Sequence, residues 1–318
     1  MADARTASAI EVRDLAIRLR QHGQAIFPLC DSTIWEVRKQ EGVSLTRTVE
    51  LMELISENIS FRSVEQLYDA EMRKFVDYLL SGQFAPLSVG ERFGPLLSYI
   101  GNGFALQAVS RDKPATSRQM SDTLADKLND LSLSSLVSYM KRPELPQINV
   151  ADVRRDVAKR RRELAKGSIE LARRIEAEYV GRTHILPRLR SIARQLPPDQ
   201  RTLLHGKIMA LPRSRRFQSA IEHILSFTPS MAASVEMETL GGLDVRRIGG
   251  ENDFNDLSLA VYGLSYAHHF AAVDGWIASL LSLAKEKQFP VFVQFAGSVE
   301  ELGSVLDSLQ HGTSRSAA

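Results

Sequence analysis

Segments with the composition of β-strands occur near both ends of the chain and are missing from its long middle part, residues 83–235. Near the N-terminus, QAIFPLC (24–30) and NISFR (58–62) alternate with amphipathic helical patterns. Near the C-terminus, HFAAV (269–273) and PVFVQF (290–295) do the same. Alternating helices and strands are typical of layered α/β folds. Because neither end is large enough to cover a sheet alone, the pattern predicts one α/β domain interrupted by a helical insertion.

The predicted fold is a doubly wound, mostly parallel sheet interrupted by a large all-helical insertion. The N-terminal part of the α/β domain is expected to span residues 1–82, the insertion 83–235 and the C-terminal part 236–310, with a disordered tail at 311–318. In this arrangement three segments become neighbouring parallel strands of one sheet despite the long gap in sequence. They are residues 24–30, 269–273 and 290–295.

Bulk composition narrows the class of protein. The chain has 318 residues, of which 44% are hydrophobic and 25% charged, as in ordinary globular proteins. It has no run of about 18 apolar residues, and its charged start lacks the apolar core of a signal peptide. Cys30 is the only cysteine, which excludes an internal disulfide and zinc sites built from paired cysteines. We therefore expect a cytoplasmic protein that does not bind membranes.

The charges are unevenly distributed along the chain. Residues 151–216 contain 18 Lys and Arg against 7 Asp and Glu, whereas the remainder contains 22 against 31. At helical spacing Arg155, Lys159, Arg162 and Lys166 share one face, and such a stripe is typical of proteins that track a phosphate backbone. We therefore predict RNA binding by these four residues. The alternative, that this face is only solvated or pairs with the acidic remainder, stays open.

Acidic residues are expected at one edge of the predicted sheet. A helix over 256–267 climbs about 18 Å, and the strand after it returns a similar distance. Asp256 at the start of this helix and Asp274 at the end of the strand would therefore reach the same edge, with Glu36 from the helix after strand 24–30. Ligands of open α/β sheets collect at that edge, and Mg²⁺ and Mn²⁺ prefer carboxylate oxygens. The sequence thus predicts a metal site of Glu36, Asp256 and Asp274, with Asp253 inside it or at its rim.

Helix capping is the alternative explanation for these acids. An acid in the first turn of a helix interacts favourably with the positive end of the helix dipole without any metal. Asp31, Asp253 and Asp256 all lie in places where such a role fits the predicted helices. Taken singly, each is better explained as a cap, and only the combination of Glu36, Asp256 and Asp274 favours a metal.

The segments IFPLCDSTIWEVRK and NDLSLAVYGLSYAHHFAAVDGWIASLL resemble the PIN-like nuclease superfamily. In that family a strand–helix element supplies one acid, and a D-L-x-x-A helix leads into a strand that ends in another Asp. The resemblance covers about 1–80 and 250–310. It implies a doubly wound fold with a Mg²⁺- or Mn²⁺-dependent nuclease site that acts on RNA, in which Glu36, Asp256 and Asp274 match three of the usual four acids.

The sequence departs from this family at its start. A short apolar strand ending in an essential Asp normally precedes the first helix, whereas MADARTA contains only Asp3. Either the assigned start is too late or the nuclease is impaired. We therefore predict a metal-dependent ribonuclease that hydrolyses phosphodiester bonds. The alternative is a non-catalytic interaction or regulatory module of the same fold, bound to a protein partner or to a second copy.

Overall fold

The computed structural model of the chain describes residues 7–96, 131–141, 167–210, 217–243, 251–271, 275–286, 294–296 and 298–312. Most of these residues are helical. The prediction of a doubly wound, mostly parallel sheet is wrong, because the strands in this part of the chain are three residues long and form two separate two-stranded sheets. A PIN-like arrangement of strands is therefore not present in the described residues.

The described elements follow one another along the chain as follows: α1 (Ala7–Gln21), α2 (Asp31–Arg38), α3 (Gly42–Ser56), β1 (Ile59–Phe61), α4 (Val64–Ser81), α5 (Val89–Arg92), β2 (Phe93–Pro95), α6 (Leu133–Met140), α7 (Ile169–Val180), a π-helical turn (Gly181–Ile185), α8 (Leu186–Gln195), α9 (Pro198–Ala210), α10 (Phe217–Leu225), α11 (Pro229–Leu243), α12 (Glu251–Tyr266), β3 (His269–Ala271), α13 (Gly275–Glu286), β4 (Gln294–Ala296) and α14 (Val299–Gly312).

The segment 24–30 does not form the predicted strand, and its backbone hydrogen bonds explain why. The amides of Gln24 and Ala25 donate to the carbonyl of Leu19 and so extend the end of α1. Pro28 has no amide hydrogen with which to join a ladder. Only Leu29 pairs, through a single parallel bridge to Ser60. The first sheet is instead an antiparallel pair, β1 with β2, and the second pairs β3 with β4.

The chain divides into two compact units, each assembled from distant segments. Residues 1–63, 92–147 and 296–318 form the first unit, and residues 64–91 and 148–295 form the second. Residues 24–30 belong to the first unit, where only Leu29 bridges to β1, and β3 belongs to the second unit, where it pairs with β4. The predicted insertion, 83–235, contributes segments to both units.

Two small apolar clusters hold the first unit together. Helices α1 and α14 pack against each other, burying Leu15 and Leu19 against Leu306. Helices α2, α3 and α6 share the other cluster, which includes Ile34, Met52 and Leu136. Each helix buries only one side, as expected for amphipathic helices on the surface of a small core.

Helix α11 is the centre of the second unit. It contacts α4, α7, α10, α12 and α13. Its sequence, PSMAASVEMETLGGL, is apolar or small on nearly every side, which is typical of a helix surrounded by others. Met231 and Val235 join one apolar cluster of the unit, and Met237 and Leu240 join the other. The positions of the surrounding helices therefore depend on α11.

Within the described part of the chain, every helix is too short or too polar to cross a lipid bilayer. The longest, α4, has 18 residues and carries several charged side chains. Most of its charged residues lie away from the side that buries Leu67, Met72 and Phe75.

The contact between α12 and β3 generates the first prediction. A Cβ atom added at Gly263 would lie within 2.7 Å of three ring carbons of Phe270, which is itself buried. Gly263→Ala should therefore destabilise the protein by about 1–3 kcal/mol, because a buried ring cannot move aside freely. Chemical denaturation would measure this change. Gly275→Ala is the matched control, since nothing lies within 4 Å of the added atom there; equal stability of the two variants would contradict the prediction.

Candidate functional site

Two of the predicted metal ligands, Glu36 and Asp256, lie in the described part of the chain and belong to different units. Glu36 lies on α2 in the first unit and is partly exposed, and its Oε1 accepts a hydrogen bond from Lys39 Nζ at 2.7 Å. Asp256 belongs to the second unit, where it is the sixth residue of α12. Helix α12 begins at Glu251, five residues before the predicted start, so Asp256 lies beyond the first turn and is not an N-cap.

The other predicted site residues lie outside the described part of the chain. Asp274 is in residues 272–274, the side chain of Asp253 is not described, and the basic stripe is in residues 151–166. Among the residues that the structure describes, no group of three His, Cys, Asp or Glu side chains is arranged to hold a metal ion. The metal site and the RNA-binding stripe therefore stay predictions.

A buried carboxylate that the sequence analysis missed lies at the N-terminus of α11. Glu71 of α4 is 1% exposed, and its Oε1 accepts a hydrogen bond from the backbone amide of Ser230 at 2.8 Å. The hydroxyl of Tyr266 donates a short hydrogen bond to the same oxygen. Because Ser230 is the second residue of α11, Glu71 satisfies one of the amides that a helix leaves without an internal partner.

A second cap on the same side of the unit fixes α4 itself. The hydroxyl of Tyr262, one turn before Tyr266 on α12, accepts a hydrogen bond from the amide of Val64 at 3.0 Å. Val64 is the first residue of α4, and Tyr262 is fully buried. Helix α12 thus caps α4 through Tyr262 and supports, through Tyr266, the carboxylate with which α4 caps α11. Hydrogen bonds from these side chains thus connect α4, α11 and α12.

Burial controls the ionisation of this carboxylate. It raises the pKa of Glu71 from its ordinary value of 4.5 to about 7, although the hydrogen bonds from Tyr266 and Ser230 act in the opposite direction. Burial likewise raises the pKa of the Tyr68 hydroxyl, one turn earlier on α4. A carboxyl that titrates near neutral pH is suited to acid–base chemistry. Its almost complete burial between helices instead indicates a capping role.

Two further ion-pair groups join helices of the second unit. Arg173 of α7 donates to Glu236 of α11 at 2.6 Å and to Glu222 of α10 at 2.8 Å. Burial raises the pKa of Glu236 more than the adjacent Arg173 lowers it. Arg188 of α8 donates to Asp69 of α4 at 2.7 Å and also to Glu65. These arginines come from the basic part of the chain, and here they bind acids of the same unit.

Helix α7 also has an apolar surface that no described residue covers. Leu171, Ile175 and Tyr179 are 47%, 40% and 43% exposed. Their spacing of four residues places them along one side of the helix, and together they are called the apolar stripe below. The opposite side of α7 is buried against α11 through residues such as Ala172 and Ala177. The helix therefore has two apolar sides, and only one of them serves the core.

Both features left a signal in the sequence. Glu71 lies four residues after Leu67 and four before Phe75, so it interrupts the apolar side of an amphipathic helix. Leu171, Ile175 and Tyr179 repeat at four-residue intervals within the basic part of the chain, whose charge predicted RNA binding. An acid on an apolar side and a second apolar side on one helix are the patterns that would have located them.

The raised pKa of Glu71 generates the second prediction. Between its ordinary pKa of 4.5 and its folded-state pKa of about 7, the folded protein holds a proton that the unfolded chain has released. The free energy of unfolding should therefore fall as pH rises through this window, by up to about 3 kcal/mol. Glu71→Gln cannot ionise but keeps the acceptor oxygen for Ser230 and Tyr266, so it should be as stable as the wild type near pH 4.5 and more stable near pH 8.

Denaturation of both proteins across this pH range measures the effect, and their difference cancels the contributions of other groups. Asp77→Asn is the control, because Asp77 is an exposed acid on the same helix. Parallel stability curves for the wild type and Glu71→Gln would contradict the prediction.

Comparisons with known proteins give no family for this chain. No family model matches it, and neither a curated protein nor a solved structure matches it significantly. The resemblance to PIN-like nucleases thus receives no support from relatives, and the described residues lack the sheet that it implies. Among the described residues, the apolar stripe and the hydrogen-bonded buried acids are the features that bear on function.

Proposed function

We propose that this protein is a non-catalytic interaction module that binds a partner protein through the apolar stripe of α7. The single observation that carries the proposal is the exposure of Leu171, Ile175 and Tyr179 along one side of an ordered helix. Scattered exposed apolar residues are normal on protein surfaces, but a contiguous row on one helix is typical of a binding surface.

The stripe is held rigidly before any partner arrives. The hydroxyl of Ser168 caps α7 by accepting a hydrogen bond from the amide of Leu171. On the far side of the helix, Arg173 is tied to both α10 and α11. A preorganised helix loses little conformational entropy on binding. Covering the exposed part of each stripe residue contributes on the order of 1 kcal/mol, which suits a specific contact of modest strength.

The acids that join helices also favour an interaction module over an enzyme. Glu71 caps a helix, while Glu222 and Glu236 bind Arg173, so each already has a role in joining helices. The predicted nuclease depended on one sheet that contains residues 24–30, 269–273 and 290–295, whereas the described strands form two separate two-stranded sheets. The alternative of a non-catalytic interaction protein needs no such edge.

Stripe-dependent binding is the third prediction. Tagged wild-type protein, Ile175→Glu and Leu203→Glu would be expressed in the cells that make this protein, crosslinked and purified with their contacts. Ile175→Glu places a charge in the stripe and should remove at least one crosslinked protein that the wild type retains. Leu203→Glu is the matched control, since Leu203 is 56% exposed on α9. Identical crosslinked proteins for all three would contradict the proposal.

Metal dependence separates this proposal from the nuclease and is the fourth prediction. A non-catalytic module should show the same change of melting temperature with Mn²⁺ in the wild type and in Asp256→Asn combined with Asp274→Asn. It should also leave RNA intact with Mg²⁺ or Mn²⁺ present. An increase in melting temperature that the double variant abolishes, together with RNA cleavage by the wild type, would favour the nuclease and sink the proposal.

A further inference from the structure

The side of the apolar stripe that faces away from the core carries a regular row of charges. Glu170, Arg174, Glu178 and Arg182 follow each other at four-residue intervals, and they are called the charge row below. Four-residue steps on a helix advance along one side with a slow drift. On the other side of the stripe, Ala172 and Glu176 are buried in the core of the second unit. The charge row thus lies along the edge of the stripe that faces away from the core, called the open edge below. A partner that covers the stripe also meets the charge row at this edge.

The order of charges in the row is complementary to itself when reversed. Read forwards the row is acid, base, acid, base, and read backwards it is base, acid, base, acid. A two-fold axis perpendicular to α7 brings the same edge of two copies together in opposite directions. Glu178 then faces Arg174 of the second copy, and Glu170 faces Arg182 of the second copy. A parallel arrangement would instead turn the charge row towards the buried edge of the other helix.

The apolar stripe fits the same axis. The charge row is centred on residue 176 and the stripe on Ile175, one residue apart. The axis that pairs the charges thus also sets the two stripes against each other, with Ile175 of both copies near the centre. We infer that the partner of this surface is a second copy of the same chain, bound with the two α7 helices antiparallel. This inference rests on the proposed function and names its partner.

The contacts already present within one copy are compatible with this arrangement. Arg182, in the π-helical turn that follows α7, donates to Glu178 at 2.8 Å and also lies 4.9 Å from the ring centre of Phe217; the side chains of Arg182 and Glu178 are 52% and 42% exposed. Such an exposed pair contributes little to stability, and a carboxylate accepts further donors. Arg174 is exposed and has no ion pair with any described residue. In the antiparallel arrangement its guanidinium meets the carboxylate of Glu178 of the second copy.

Sedimentation velocity of the full chain over a range of concentrations gives the first test, and this is the fifth prediction. The wild type and Leu203→Glu should form a dimer as concentration rises, whereas Ile175→Glu should stay monomeric. Circular dichroism of each variant checks that it is folded. A wild type that stays monomeric at every concentration would overturn the inference.

Charge reversal tests the antiparallel arrangement itself. Arg174→Glu alone and Glu178→Arg alone each place like charges opposite each other twice, so each should weaken the dimer about tenfold or more. An equimolar mixture of these two variants pairs every acid with a base, so it should recover a heterodimer. The double variant Arg174→Glu/Glu178→Arg should recover the homodimer. A mixture that stays as weak as the separate variants would overturn the antiparallel pairing.

The outcomes keep this inference separate from the proposed function. If the wild type is monomeric but Ile175→Glu still loses a crosslinked protein of another kind, the second copy is the wrong partner and the interaction module stands. If the wild type is monomeric and no crosslinked protein depends on Ile175, both are wrong. If the dimer forms and survives Ile175→Glu, its interface lies elsewhere and the inference is wrong.

Discussion

The second unit depends on one buried hydrogen-bonded carboxylate. Glu71 holds the first turn of α11, and α11 contacts five other helices. An isolated buried carboxylate is costly, and the cost is limited here by the amide of Ser230, the hydroxyl of Tyr266 and a pKa near 7. The position of the helix end therefore depends on a side chain 159 residues away in sequence. This hydrogen bond and the apolar cluster that α4 shares with later helices join segments 64–91 and 148–295 in one unit.

The position of the apolar stripe follows from this arrangement. Helix α7 packs along α11 and is tied to it by Arg173, which reaches both Glu236 and Glu222. These contacts fix the rotation of α7 about its axis, and that rotation decides which apolar side faces the core. Ala172 and Ala177 lie on the side that faces the core and are buried there together with Glu176 and Val180. The larger Leu171, Ile175 and Tyr179 are left on the outside by the same rotation.

Local patterns predicted the helices well and the long-range pairing poorly. The apolar periodicity of residues 8–21, 44–56 and 275–287 predicts helices, and α1, α3 and α13 match these bounds within about two residues, because periodicity and caps are local properties. The prediction of one sheet from residues 24–30, 269–273 and 290–295 is wrong because strand pairing depends on distant partners, and only the last two segments are paired, as β3 and β4. Residues 24–30 have the composition of a strand, but Pro28 and the hydrogen bonds to Leu19 leave only Leu29 to pair. The capping role of Glu71 could not be predicted from local patterns either, since its hydrogen-bond partners come from α11 and α12.

The number of charges in a segment does not reveal the role of each charged residue, because that role depends on the side of the helix on which the residue lies. Glu176 and Glu178 are two residues apart on α7, yet the first is buried in the core and the second is at the open edge. The arginines divide in the same way. Arg173 and Arg188 bind acids of the same unit, so they add little to the field that a polyanion would meet. Arg174 and Arg182 alternate with acids, and alternation favours a partner with matching charges of both signs over a uniformly negative one.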